Sequence, residues 1–153
     1  MGTKRVGLAR TQALIQNLKR DLQLNGTSLV GIKKKTQDVT TSVSAGASDS
    51  GKVYFVNAGT TVLTLPTSAV AGAGWSCKVI LIDEPDATFK VTANTNELMG
   101  LITCADGALQ SDANTTFTIN TSGNIGDWLE ITCDGSTMYI GGNLQLVAAG
   151  AFS

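Results

Sequence analysis

The feature that most constrains the fold is an alternation of apolar and polar residues with a period of two, which begins near Lys52. Such alternation predicts β-strands that bury one face. Short strands separated by turns are typical of a sandwich or a barrel. We therefore predict an all-β domain over 52–153, an antiparallel β-sandwich or a jelly-roll-like barrel. The predicted strands are 53–57, 61–65, 75–82, 87–92, 97–104, 115–120, 127–133, 137–141 and 144–147.

Composition agrees with a turn-rich β domain, because the chain of 153 residues has 17 glycines and only 15% charged residues. It has no run of about 18 apolar residues, so we expect no membrane partner. The opening "MGTKRVGLARTQALI" lacks the apolar core and cleavage site of a signal peptide.

The three cysteines do not form a metal or redox motif, because none lies in a CxxC spacing. Strand alternation places Cys77, Cys104 and Cys133 on apolar faces, where thiols behave as small buried hydrophobic groups. We therefore expect no intrachain disulfide, and a reducing compartment such as the cytoplasm during assembly.

Catalytic chemistry has little support in the sequence. The chain has no histidine, which excludes serine–histidine and cysteine–histidine nucleophile sites and histidine zinc triads. Asp83, Glu84 and Asp86 surround a proline without the spacing of a calcium loop, so we expect solvated turn carboxylates and no metal or cofactor. Asp127 and Glu130 fall on opposite strand faces and cannot act as an acid–base pair. We expect no enzymatic activity, although folding could bring other carboxylates together.

The N-terminal segment differs from the rest of the chain in charge. Residues 1–37 carry eight lysines and arginines against one acid, a net charge of +7, whereas residues 38–153 carry a net charge of −8. A helix is predicted at about 11–25, with an apolar stripe of Leu14, Leu18 and Leu22 widened by Ile15. That stripe needs a surface, which is either the chain's own β domain or a partner.

We expect residues 38–51, which are rich in Thr, Ser, Ala and Gly, to be an extended linker between the basic arm and the β domain. The arm's charge suits phosphate groups as well as an acidic protein surface. It has neither interleaved aromatic residues nor a recognisable DNA-binding module, so we expect no specific nucleic-acid partner.

A hairpin is predicted near the C-terminus in "GDWLEITCDGSTMYIGG" (126–142). Its Asp134-Gly135 pair indicates a type I′ turn. The flanking strands would bury Cys133 with Leu129 and Ile131, so the hairpin is interpreted as a scaffold element.

Three stretches of the chain resemble a known family. These are the opening "MGTKRVGLARTQALIQNLKRDLQL" and the body segments "FVNAGTTVLTLPTSAVAGAGWSCKVI" and "GDWLEITCDGSTMYIGG". They are similar to capsid decoration (cement) proteins of tailed bacteriophages, especially phages of marine and cyanobacterial hosts. The resemblance covers nearly all of 1–153 and implies no catalytic residues.

The resemblance implies a structural virion protein that decorates and stabilises the capsid from outside, often as a trimer, with a dimer as the other possibility. Its partner would be the major capsid protein. The alternative is a head- or tail-fibre β module that binds host surface glycans. The expected capsid-binding residues of the arm are Lys4, Arg5, Arg10, Leu14, Ile15, Leu18, Lys19, Arg20, Leu22, Lys33, Lys34 and Lys35. The expected self-association residues are Trp75, Val79, Ile80, Leu81 and Ile82, since both faces of that strand are apolar.

Overall fold

The computed structural model describes residues 10–13, 33–57, 59–84 and 87–153. The chain divides into two compact units, Met1–Lys33 and Lys34–Ser153. In the first unit, residues 10–13 are helical. The remainder of the helix predicted at about 11–25 lies outside the described residues.

The described part of the second unit is built almost entirely from strands. A short helix, α1 (Ser68–Ala71), and two 3-10 turns, Ala47–Asp49 and Val147–Ala149, interrupt them. The strands are β1 (Thr36–Val39), β2 (Val43–Ser44), β3 (Lys52–Val56), β4 (Thr61–Thr64), β5 (Ser76–Leu81), β6 (Phe89–Thr92), β7 (Leu98–Cys104), β8 (Gly107–Asn114), β9 (Thr116–Ile119), β10 (Trp128–Cys133), β11 (Met138–Leu144) and β12 (Gly150–Phe152).

These strands form two mixed sheets. The seven-stranded sheet has the order β1-β3-β5-β10-β11-β7-β8, and the five-stranded sheet has the order β12-β9-β6-β4-β2. The first six strands alternate between the sheets and run parallel within each one. Each crossover between parallel neighbours is therefore a strand of the other sheet, as in a β-solenoid. The later strands add antiparallel pairs to this frame.

The all-β, sandwich-like character predicted from the sequence is confirmed, but its antiparallel arrangement is wrong. Alternation of apolar residues reports which face of a strand is buried and not the direction of its neighbour. Neither sheet closes on itself, so the barrel alternative is wrong as well.

The interpretation of 38–51 as a linker is also wrong. This stretch contains the end of β1, all of β2 and a 3-10 turn, and it belongs to the unit that begins at Lys34. The predicted strand 144–147 is wrong too, because β11 ends at Leu144 and a 3-10 turn follows. There the Gln145 N–H donates to the Asp127 carboxylate at 2.9 Å, which draws the backbone away from the ladder.

The turn of the predicted hairpin differs in type. Gly135 has φ +101°, but Asp134 is not in the left-handed region, whereas a type I′ turn at Asp134-Gly135 needs a positive φ at both residues. The Asp134 carboxylate accepts hydrogen bonds from the N–H groups of Ser136 and Thr137, at 2.8 and 2.7 Å. These bonds lower the pKa of Asp134 to about 2. The aspartate therefore stabilises the turn by capping its backbone.

One hydrophobic core lies between the sheets and draws on both. Its largest fully buried side chains are Tyr54, Phe89, Phe117, Leu63, Leu81, Leu98, Ile102, Ile119, Leu129, Ile131, Met138 and Leu144. Burial of this apolar surface is the main stabilising contribution to the unit.

The Tyr54 hydroxyl is a buried polar group in this core that lacks a hydrogen-bond partner. Within the described part of the chain, it is the one buried side-chain oxygen or nitrogen without a hydrogen-bond partner. Burial raises the pKa of Tyr54, because the phenolate would be poorly solvated there. Leaving such a group unpaired costs about 1–3 kcal/mol.

We expect Tyr54→Phe to raise the free energy of unfolding by about 1 kcal/mol, since it removes the unpaired hydroxyl and keeps the packed ring. Urea unfolding of the variant and the wild type measures the difference. A loss of stability of similar size would contradict the prediction and show that the hydroxyl has a partner.

Cys77 and Cys133 are buried as predicted, at 3% and 1% exposure, whereas Cys104 is only half-buried near the edge of its sheet. Burial, with smaller effects from the Asp49 and Glu130 carboxylates, raises the pKa of Cys77 to about 12. A thiol held in its protonated form reacts slowly with electrophiles.

We therefore expect iodoacetamide to label Cys104 in the native protein well before Cys77 and Cys133. Mass spectrometry after timed alkylation measures the order, with unfolded protein as the control in which all three react. Equal labelling of Cys77 and Cys104 in the native state would contradict the burial. A disulfide-linked peptide in unreduced protein would contradict the expectation of no intrachain disulfide.

Candidate functional site

Most residues of the predicted capsid-binding arm fall on the part of the chain that the structure leaves undescribed. Those outside the described residues are Lys4, Arg5, Leu14, Ile15, Leu18, Lys19, Arg20 and Leu22. Arg10 lies in the helical segment 10–13 and is exposed. Lys33, Lys34 and Lys35 are exposed and directly precede β1. The three lysines are therefore available to a partner.

The predicted self-association residues do not share one surface. Trp75, Val79 and Leu81 are at most 2% exposed and belong to the core. They face the five-stranded sheet of the same chain, so they do not form a patch for a second copy, and the prediction is wrong for these residues. Ile80 is half-buried on the opposite face of β5, and Ile82, just beyond that strand, is 42% exposed.

The outer face of the seven-stranded sheet carries an open concavity of about 420 Å³. It lies over three neighbouring strands, β7, β11 and β10. Its lining residues are Gly100, Trp128, Glu130, Thr132, Tyr139, Ile140, Gly141 and Gly142. The strand register explains the grouping, because Glu130 is paired with Gly141 and Thr132 with Tyr139.

The floor of the concavity is made by glycines, two of which are required by close backbone contacts. A Cβ at Gly100, which has φ +152°, would overlap the carbonyl oxygen of Ile140 on the neighbouring strand. A Cβ at Gly142 would overlap the carbonyl oxygen of Trp128. At Gly141 the nearest atom to a Cβ would be the Leu101 oxygen at 3.8 Å, an ordinary contact distance. The fold therefore does not require a glycine at 141.

Two aromatic side chains line the concavity. Tyr139 is 48% exposed, and Trp128 is half-buried. The Lys78 ammonium lies 4.4 Å from the centroid of the Trp128 ring. This cation–π contact helps to hold the indole in place and leaves at most one of its faces open to a ligand.

A single carboxylate adds polarity to this surface. Glu130 is exposed and lies between Lys78 on β5 and Gly141 on β11 in the strand register. Among the described residues, no ion pair or hydrogen bond engages its side chain. The carboxylate is therefore free to accept hydrogen bonds from a ligand, and the Thr132 hydroxyl is exposed on the same strand.

The concavity lacks the arrangement needed for acid–base or metal chemistry. Asp127 is 5% exposed, and its oxygens accept the N–H groups of Asn124 and Gln145, each at 2.9 Å. It therefore ties loops together away from Glu130. Across the described ranges, no group of three or more cysteine or acidic residues is placed to hold a metal ion. The arrangement can bind a small molecule by stacking and hydrogen bonding.

Sequence reasoning missed this concavity, because it depends on three strands that are distant in the chain. One signal was present in "MYIGG", where two consecutive glycines interrupt a strand two residues after Tyr139. Glycine in a strand interior often marks a close approach of a ligand or another backbone.

No family model, curated protein or solved structure matches this chain. In the part of the chain that the structure describes, no helix is both long and apolar enough to cross a bilayer.

Proposed function

We propose that this chain is a structural virion protein that decorates a phage capsid from outside, with its N-terminal arm bound to the major capsid protein. The observation that carries the proposal is the opposite charge of the two units. Met1–Lys33 has six basic residues against one acid, a net charge of +5. Lys34–Ser153 has five basic residues against eleven acids, a net charge of −6.

Such a distribution favours binding by the arm and exposure of the body. Opposite charge speeds the encounter of a basic segment with an acidic shell, while like charge discourages the acidic body from lying on it. Burial of the leucine stripe at Leu14, Leu18 and Leu22 would then hold the complex, at about 1.5–3 kcal/mol for each side chain fully buried.

The connection between the units supports the same role. Lys33, Lys34 and Lys35 lead directly into β1, which is an edge strand of the seven-stranded sheet. An edge strand has unpaired backbone groups on one side and can be extended by a strand of another chain. A homotrimer on the outer capsid surface fits closed symmetry, in which one patch repeats around a threefold axis.

A fibre module that binds host surface glycans is the second candidate. The aromatic concavity on β10 and β11 favours it, since stacking surfaces beside hydrogen-bonding groups suit a sugar. That site lies in the body, so its activity and that of the arm can be separated by mutation.

Co-sedimentation of the full-length protein with purified phage heads that lack it tests the proposal. We expect saturable binding that weakens as ionic strength rises from about 0.1 to about 1 M, because the Debye length falls from about 10 to about 3 Å. Absence of binding at low ionic strength would contradict the proposal.

A further inference from the structure

The concavity contains one residue whose identity the fold leaves unexplained. Gly141 lies in the interior of β11, outside the left-handed region, and a Cβ there would meet only the Leu101 oxygen, at the ordinary contact distance of 3.8 Å. A strand interior favours β-branched or aromatic residues, and glycine weakens it. Because Gly100 and Gly142 already satisfy the close backbone contacts, the missing side chain at 141 serves mainly to leave the concavity open.

The side chains around this opening favour one class of ligand. An aromatic ring has a negative face that attracts the weakly positive C–H groups of an apolar ligand surface. Trp128 and Tyr139 offer such surfaces, and the Glu130 carboxylate and Thr132 hydroxyl offer hydrogen bonds beside them. A ligand that fits has one flat face of C–H groups and several hydroxyls at its edge, which describes a pyranose sugar.

The volume of the concavity and the charges beside it restrict the ligand further. A concavity of about 420 Å³ lies within the usual range of small-molecule sites and is too small for a helix or a folded partner. The exposed Glu130 carboxylate would repel an anionic sugar, and the Lys78 ammonium, which is paired with Glu130 in the strand register and lies over the Trp128 ring, would repel a cationic one. The ligand is therefore neutral.

We propose that this concavity is a carbohydrate-binding site for a single neutral or N-acetylated pyranose ring at a glycan end. Trp128 and Tyr139 supply the stacking surfaces, Glu130 accepts sugar hydroxyls, and Gly141 leaves room for the ring. The proposal does not rest on capsid binding by the arm, because every residue involved belongs to Lys34–Ser153.

The test uses the full-length protein and four methyl pyranosides: glucoside, galactoside, mannoside and N-acetylglucosaminide. Saturation-transfer NMR detects contact with the sugar, and titration of tryptophan fluorescence gives the affinity. We expect at least one pyranoside to bind with a Kd on the order of 1 mM, as suits a ligand of this size.

Two variants probe the site by different means. Trp128→Ala removes a stacking surface and is expected to weaken binding about tenfold or more. Gly141→Val fills the opening with a residue that suits a strand, so it is expected to abolish binding while the protein stays folded. Ile125→Ala changes an exposed apolar side chain outside the concavity and should leave the affinity unchanged.

Circular dichroism and thermal melting check that each variant is folded. If Trp128→Ala unfolds, Gly141→Val decides the question. The proposal is overturned if none of the four sugars binds the wild type, or if the bound sugar retains its affinity in folded Gly141→Val. Either result leaves the capsid proposal untouched.

Discussion

Deletion of residues 1–33 is expected to abolish co-sedimentation with purified phage heads while the remaining chain stays folded. The arm carries six of the chain's eleven basic residues and its leucine stripe, so the body alone is left with a net charge of −6 and no apolar docking stripe. The deletion must end at Lys33, because β1 begins at Thr36 and pairs with β3 over four residues. A deletion of 1–37, which the sequence alone would suggest, removes half of that strand.

Charge reversals in the arm and in the body separate the contribution of the arm from nonspecific effects of charge. Reversal of Lys33, Lys34 and Lys35 to glutamate changes three exposed residues of the arm and its junction, and we expect binding to weaken at least about tenfold at low ionic strength. Lys90→Glu changes an exposed lysine on β6, in the body, and should bind as the wild type does. Undiminished binding of the 1–33 deletion would rule out the arm as the docking segment.

Substitution of Gly100 by alanine is expected to destabilise the body by about 3 kcal/mol or more. The added Cβ would overlap the carbonyl of Ile140, and the φ of +152° is unfavourable for a side chain. The overlap can be relieved only if β7 moves away from β11, to which it is paired in parallel over seven residues. Urea unfolding and thermal melting measure the loss.

Gly141→Ala is the matched control, since it adds the same methyl group to the neighbouring strand. Its Cβ would lie 3.8 Å from the nearest atom, so stability should stay within about 0.5 kcal/mol of the wild type. If Gly100→Ala and Gly141→Ala were equally stable, the close approach of β7 to β11 would be contradicted.

Much of the fold could be predicted from the sequence because one face of most strands is buried. The segments around Val79, Val91 and Ile131 alternate clearly, and each forms a strand close to its predicted bounds. β8 was missed because its sequence, GALQSDAN, has a single large apolar residue, as suits an exposed edge. β1 and β2 were missed because their short segments are mostly polar.

Strand direction and sheet order could not be predicted in this way. Parallel pairing of β3 with β5 depends on a connection through the other sheet, and alternation along a single strand does not encode that path. The wrong assignment of Trp75, Val79 and Leu81 to a self-association surface has a similar cause. The predicted strand 75–82 has apolar residues on both faces, and only the two-layer packing shows that Trp75, Val79 and Leu81 belong to the core.

The candidate site could not be predicted from the sequence either, because it depends on which strands pair with each other. Gly100, Glu130 and Gly141 are brought together by the parallel pairing of β7 with β11 and the antiparallel pairing of β11 with β10. No local motif joins them. What the sequence did predict is that Asp127 and Glu130 do not lie on the same face, and the structure places the two carboxylates in different surroundings, with Asp127 buried and Glu130 exposed.

The most direct test of the central claim is a cryo-electron microscopy map of phage heads decorated with the full-length protein. We predict that density for residues 1–33 lies against the major capsid protein, with the acidic β unit projecting outward. A map in which the β unit contacts the shell while the arm points into solvent would contradict the account, as would heads that carry no density for this chain.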